Sequence, residues 1–328
     1  MRPFQYVRAT DEHAAVQAAS ALQAKYLAGG TNLIDLMKED VERPSTLVDI
    51  TRLPLNNIQA TAKGVTIGAL AHNTETANHA IIRQHYPLLT QAILAGATAQ
   101  LRNMATNGGN LNQRTRCQYF YEVGMPCNKR EPGTGCSAIG GINRYHAIFG
   151  WSDKCIAVNP SDMCIALAAL DAVVHVTGPN GERTIPFADY HRLPGETPEK
   201  DNNLAPGELV TSIEISKNNF AANSYYLKVR DRASYAFALV SVAAALDMKG
   251  KRIQTARIAM GGVAHKPWRA LEAEKMLLGK DATEANFRAA AEAEMANAKP
   301  HEYNKFKVEL GRRAIIRALT RAANGGAA

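Results

Sequence analysis

Tyr26-Leu27-Ala28-Gly29-Gly30-Thr31-Asn32-Leu33 and, further along, Thr106-Asn107-Gly108-Gly109-Asn110 are the stretches on which the fold turns. The first joins a short strand, residues 24–28, to a short helix through Leu33–Met37 that Thr31 or Asn32 could cap. Paired glycines let backbone N–H groups approach an anion, and a helix start adds partial positive charge. The second lies in a Gly/Asn-rich loop, Met104–Gln113, and adds Thr and Asn donors. Either alone also suits an ordinary strand–helix turn. Together they suggest opposite sides of one pyrophosphate.

Outward from these loops the chain alternates strand-like and helix-like segments. Helices are expected at Asp11–Leu22, His79–Gly96 and Asp162–Leu170. Strands are expected at Leu47–Ile50, Gly64–Ala69 and Ala172–Val176, the last followed by a Gly178-Pro179-Asn180-Gly181 turn. Pro194–Gly207 reads as a surface connector. Glu208–Ile215, Tyr225–Arg230 and Ile253–Met260 are strand-like, and Ser234–Met248 is apolar enough for either helix or strand. Helices near Pro267–Leu278 and Thr283–Ala298 precede a basic amphipathic one, Asn304–Ala323. No internal repeat is present, and the best domain boundary falls near residue 220.

The 328 residues suit about two domains at roughly 150 residues each. A hydrophobic share of 46% argues against a disordered or collagen-like chain. The net charge of +8 suits an anionic ligand, an acidic partner or nucleic acid, without choosing among them. The longest apolar run, Tyr235–Leu246, falls short of the roughly 18–20 residues of a membrane span. The N-terminal residues show no apolar core of a secretory signal before Asp11 and Glu12.

Four of the five cysteines, Cys117, Cys127, Cys136 and Cys155, crowd into one weakly periodic stretch, residues 114–160. Their spacings of 10, 9 and 19 residues match neither close CxxC zinc pairs nor compact ferredoxin runs. Reduced structural thiols, a tetrahedral zinc and an iron–sulfur cluster all remain open. Cys164, in an apolar helix, reads as a small core residue. Gly133–Ala138 loosely matches a dinucleotide fingerprint, but no strand precedes it and no βαβ unit follows. No HExxH, GxSxG, SxxK or Walker A pattern is present.

The segments Ala28–Leu33, Thr106–Asn110, Pro160-Ser161-Asp162 and Leu227-Lys228 with Arg232 occur in one order along the chain. Val240-Ser241-Val242-Ala243 and Gly261-Gly262-Val263-Ala264 with Pro267-Trp268-Arg269 continue it. In these the chain resembles the FAD-binding subunits of molybdenum hydroxylases, the family of xanthine dehydrogenase, carbon monoxide dehydrogenase and aldehyde oxidoreductases. The resemblance implies an α+β fold. Residues 1–220 would form a two-subdomain FAD-binding region, with a cysteine-rich insertion at about 114–158. Residues 221–328 would form a C-terminal α+β domain closing over the flavin.

It also implies site residues. Tyr26, Leu27, Ala28, Gly29, Gly30, Thr31, Asn32 and Leu33, with Thr106, Gly108, Gly109 and Asn110, would hold FAD around its pyrophosphate. Asp162 would reach a ribose hydroxyl of the adenosine half. Ile215 and Lys228 would lie near the isoalloxazine, where a cation stabilises the anionic reduced ring. One departure is local: Ala233–Phe237 lacks the acidic residue many members carry there.

Arg116–Tyr121 and Lys154–Ala157 resemble the insertion of 4-hydroxybenzoyl-CoA reductase flavin subunits and of bacterial periplasmic aldehyde oxidoreductases. In those, four cysteines bind a 4Fe–4S cluster, which implies Cys117, Cys127, Cys136 and Cys155 as ligands. The flavin loops are expected on a scaffold separate from that insertion.

The implied function is an electron-transfer subunit carrying FAD and a 4Fe–4S cluster. Its partners would be a molybdenum-cofactor large subunit and a 2Fe–2S small subunit, which places the complex in the periplasm by export beside a signal-bearing partner. The alternatives are a subunit like that of 4-hydroxybenzoyl-CoA reductase, a self-sufficient flavin oxidase, and a metal-binding nucleic-acid protein. A 6% aromatic content argues against the last.

Overall fold

The computed structural model describes residues 1–20 and 24–326. Three sheets organise the described residues. β1 (Gln5–Arg8), β2 (Ala24–Leu27) and β3 (Thr46–Asp49) form a small parallel sheet in the order β1-β3-β2. α1 (Glu12–Ala19) connects β1 toward β2, with Asp11 capping its start by accepting from the Ala14 amide. Leu22, the last residue expected in that helix, lies outside the described residues. α2 (Leu33–Lys38) follows β2 directly after the first Gly-Gly pair.

The second sheet is antiparallel, in the order β4-β5-β8-β6-β7. Its strands are β4 (Ile58–Ala60), β5 (Gly64–Gly68), β6 (Val173–Gly178), β7 (Gly181–Pro186) and β8 (Leu209–Ser216). β6 and β7 form a hairpin around the expected turn, with Gly181 at φ +94°. β7 shows no strand signal, because Glu182, Arg183 and Thr184 are exposed on both of its faces and only Ile185 is buried. The helices α3 (Asn73–Asn78), α4 (Ala80–His85), α5 (Pro87–Ala95), α6 (Ala99–Met104), α7 (Asn107–Leu111), α8 (Gln118–Tyr121), α9 (Asp162–Ala169) and α10 (Phe187–Tyr190) lie between β5 and β8.

The third sheet is antiparallel, in the order β12-β11-β10-β9. Its strands are β9 (Ser224–Val229), β10 (Val240–Lys249), β11 (Arg252–Gly261) and β12 (Trp268–Arg269). Helices α11 (Leu271–Leu277), α12 (Glu284–Met295) and α13 (Phe306–Ala323) pack together and against it.

This sheet explains the ambiguous apolar segment. On β10, Ala243 and Ala245 join the core built with α5 and α9, while Val242, Ala244 and Leu246 join the core of α11–α13. Both faces are buried, so the strand shows no polar alternation. Proximity to α9 also keeps Gly261 bare: a Cβ there would sit 2.7 Å from Ile165.

Two expected elements differ. The helix expected at His79–Gly96 breaks into α4 and α5, because Pro87 cannot continue a helix but starts one well. The loop expected at Met104–Gln113 contains α7. Thr106 caps it by accepting from the Gly109 amide at 3.2 Å, which offsets the poor helix propensity of Gly108 and Gly109.

Residues 114–160 are ordered by side chain–backbone bonds instead of repeating structure. Arg130 donates to the carbonyls of Tyr119 and Phe120, and Asn128 Oδ1 accepts from the Gly133 and Gly135 amides.

Candidate functional site

The two Gly-Gly segments meet. A Cβ on Gly29 would lie 1.9 Å from the Met104 carbonyl oxygen, so only glycine allows the first loop to pack on the chain entering α7. Gly30 takes φ +71°, a left-handed turn that glycine adopts without steric cost. Above this contact opens a cavity of about 680 Å³. Tyr26, Ala28, Gly29, Gly30, Thr31, Asn32, Leu33, Thr106, Gly108 and Gly109 all line it. Leu27 and Asn110 do not.

The far wall is Glu199–Val210. Most of the segment expected to be a surface connector is therefore cavity wall, tied to the first loop by the Tyr26 hydroxyl donating to the Gly207 carbonyl at 2.8 Å. That burial holds the Tyr26 phenol protonated well above its ordinary range.

The two loops offer different chemistry. In the second, the amides of Asn107, Gly108, Gly109 and Asn110 donate to Ala71, Ala69, Thr106 Oγ1 and Thr106 backbone oxygens. They are not the cradle their glycines suggested. Thr106 accepts through Oγ1 and keeps its own hydroxyl proton to donate. In the first loop, Asn32 Oδ1 accepts from the Arg114 amide at 2.8 Å, while its Nδ2 is buried without a hydrogen-bond partner among the described residues. A buried donor left this way invites an acceptor. In the first turn of α2 the Ile34 amide donates to the Gly30 carbonyl at 3.1 Å, which ties the helix start to the glycine turn.

A second cavity, about 520 Å³, opens where α9, residues 115–146 and the C-terminal sheet converge. Asp162 lines it with Ser161, Asp231, Tyr235 and Phe237. Both carboxylate oxygens of Asp162 are engaged: the Tyr226 hydroxyl donates to Oδ1 at 2.7 Å and Lys228 Nζ to Oδ2 at 2.7 Å. Lys228 also donates to the Ala95 carbonyl. This pair is buried and joins the two domains. Lys228→Met would leave Asp162 buried without its cation and is expected to cost about 3–5 kcal/mol. Urea unfolding should show it, and a loss below about 1 kcal/mol would mean that Asp162 is solvated in the native state.

Ile215 is not brought to either cavity. It is fully buried in β8, in the core of the second sheet, where its carbonyl accepts from the Tyr86 hydroxyl. The inward face of the strand and the packing of Gly64 on that carbonyl decide this. Asn159, Tyr235, Phe237 and Ser241 also line the 520 Å³ cavity, although sequence reasoning named none of them as a site residue.

Cys117, Cys127, Cys136 and Cys155 line a third, small cavity with Thr115, Lys129 and Lys154. Cys127 and Cys136 bridge each other's backbone. Cys164 lies elsewhere, fully buried in α9. Burial pushes the Cys117 thiol up to about 12 and Cys155 to about 11, and raises Cys136. Among the described residues no three His, Cys, Asp or Glu side chains converge closely enough to hold a single metal ion. His146 Nε2 lies 3.1 Å from Cys117 Sγ, and both residues also line the 520 Å³ cavity.

The insertion and the nucleotide cavity are not on separate scaffolds. Arg114 Nε donates to Asp201 at 2.7 Å and its Nη1 to Glu42 at 2.6 Å, in the cavity wall. Lys129, inside the insertion, donates to the same Asp201.

Three sheets, adjoining Gly-Gly turns and a cavity with a buried donor unpaired among the described residues suit a dinucleotide-binding protein of non-Rossmann type. Residues 2–217 match the family described as FAD binding domain in molybdopterin dehydrogenase, and 225–323 match the CO dehydrogenase flavoprotein C-terminal domain. The chain belongs to this family of FAD-binding oxidoreductase subunits.

It is 47% identical to the FAD-binding subunit of the aldehyde oxidoreductase of Escherichia coli strain K12, covering 98% of this chain and 99% of that one. It is 31% identical to the glyceraldehyde dehydrogenase medium chain of Sulfolobus acidocaldarius, over 84% of this chain and 82% of that one. Its fold superposes on carbon monoxide dehydrogenase from Hydrogenophaga pseudoflava with a TM-score of 0.78 and 26% identity, covering 100% of both chains. No described helix is long and apolar enough to cross a membrane.

The residues present fit FAD. The small-residue floor at Gly29, Gly30, Gly108 and Gly109, the Asn32 amide and the Thr106 hydroxyl suit a pyrophosphate.

Proposed function

We propose that this chain is the FAD- and 4Fe–4S-containing electron-transfer subunit of a molybdenum-dependent aldehyde oxidoreductase. It works with a molybdenum-cofactor large subunit and a 2Fe–2S small subunit, and delivers electrons to an external acceptor. The observation that carries this reading is the shared wall at Cys117, which lines both the cysteine cavity and the 520 Å³ cavity beside Asp162. Flavin, when bound, supplies a junction that takes electrons singly and releases them in pairs. Asn32, Thr106 and the two glycine pairs hold the pyrophosphate, and Asp162, fixed by Lys228, lines the 520 Å³ cavity that would take another part of the molecule.

Four cysteine thiols around one cavity are the donor set of a 4Fe–4S cluster. These thiols would bind a cluster as thiolates, releasing their protons on binding. The aldehyde reading follows the similarity to the Escherichia coli subunit. The complex works in the periplasm, exported folded beside a partner that bears the signal.

Purification of the native complex tests this. One flavin and about four irons per chain are expected beyond those of the 2Fe–2S partner, with aldehyde oxidation lost when the molybdenum subunit is removed. A chain that oxidises aldehydes alone would overturn the assignment, and cytoplasmic retention beside an intact exported partner would overturn the location.

A further inference from the structure

We infer that Lys129 of the cysteine insertion is a positioning residue for the nucleotide cavity: its ammonium neutralises Asp201 in the cavity wall, so the wall offers no net negative charge to a pyrophosphate. The inference rests on placing the FAD pyrophosphate in the 680 Å³ cavity. Lys129 lines the cysteine cavity and not the nucleotide cavity, and its side chain is only 1% exposed. Its Nζ donates to Asp201 Oδ1 at 2.5 Å and to the Pro198 carbonyl at 2.7 Å.

Asp201 in turn accepts from Arg114, which reaches Glu42 with its other arm. Lys129, Arg114, Asp201 and Glu42 thus form a neutral quartet, while Lys25, half-exposed and also lining the cavity, lies 3.7 Å from Glu42. His265 Nε2 is 3.9 Å from Asp201, but burial, with Lys129 next to it, holds that imidazole neutral. Asp201, Glu42 and Arg114 line the nucleotide cavity. Arg114 also fixes Asn32 through its amide. A buried charge that loses its partner acts over several ångströms where water is excluded. Without Lys129, Asp201 and Glu42 would share Arg114 as the one cation hydrogen-bonded to them among the described residues, leaving the Asp201 charge less compensated beside a ligand that is itself an anion.

The test is equilibrium FAD binding to the deflavinated full chain within its complex. Lys129→Met is expected to weaken FAD roughly 10- to 100-fold. Lys129→Arg should stay within about threefold of wild type. The double variant Lys129→Met/Asp201→Asn removes one charge of each sign and should recover most of the affinity. A packing role alone would leave the double variant at least as weak as the single.

Wild-type affinity in Lys129→Met, or no recovery in the double variant, overturns the inference. If Lys129→Met does not fold, the double variant decides by the same criterion, near-wild-type affinity supporting the charge role. Gly29→Val in parallel separates the failures. If it loses FAD while Lys129→Met keeps it, the inference alone falls. If both keep FAD, the cavity placement falls and the inference with it.

Discussion

Gly29→Val should yield a folded chain that no longer retains FAD. The added Cβ would stand 1.9 Å from the Met104 carbonyl oxygen, and the obstacle is backbone, which has no rotamer to escape into. The first loop must therefore lift off the chain entering α7, separating Asn32 from Thr106. Overpacking of this kind costs about 1–3 kcal/mol or more, enough for a 10- to 100-fold loss of affinity. The branched residue also disfavours the turn into Gly30, held at φ +71°.

Gly30→Val adds strain of about 1–3 kcal/mol at that left-handed position itself. Gly109→Val should be milder, because its Cβ would meet only the Thr106 hydroxyl at 3.0 Å. Flavin released on denaturation, counted per chain, is the measurement. Full flavin in Gly29→Val would show that the two loops do not share the ligand.

Each of Cys117→Ser, Cys127→Ser, Cys136→Ser and Cys155→Ser should lose about four irons per chain, whereas Cys164→Ala should lose none. The four thiols share one cavity, while Cys164 packs in α9 among Ile165, Ala166 and Leu167. Flavin content should fall with the iron, though less steeply. The insertion that the iron would hold closed also holds Lys129 against Asp201. Iron lost from Cys164→Ala but kept in Cys136→Ser would refute the ligand set, and iron unchanged in all five would show that the chain carries no such cluster.

The glycine loops were legible because each combines a local signal, paired glycines beside Thr and Asn, with a strand before or a helix after. Their amides were misjudged in one case. Whether the Gly108 amide is free depends on Ala69, nearly forty residues earlier, whose carbonyl accepts it at 2.7 Å. Asp162 lines the second cavity, and its partners Tyr226 and Lys228 lie on another domain's strand. Ile215 and Lys228 both looked like flavin contacts. The alternation of β8 turned Ile215 into the core, and the ion pair turned Lys228 to Asp162.

The amino-acid sequence by itself determined the local elements, the paired glycine turns, the clustering of four cysteines and the apartness of Cys164. These depend on backbone freedom, helix capping and hydrophobic period, all settled within a few neighbouring residues. Only the tertiary structure decided that β10 is a strand, since its apolar run follows from burial on both faces. It alone decided that the connector becomes a cavity wall, and that one aspartate there takes its cation from the cysteine insertion. Those outcomes join residues as much as 181 positions apart, as Tyr26 and Gly207 are. A buried charge finds its partner by three-dimensional proximity, for which spacing along the chain carries no signal.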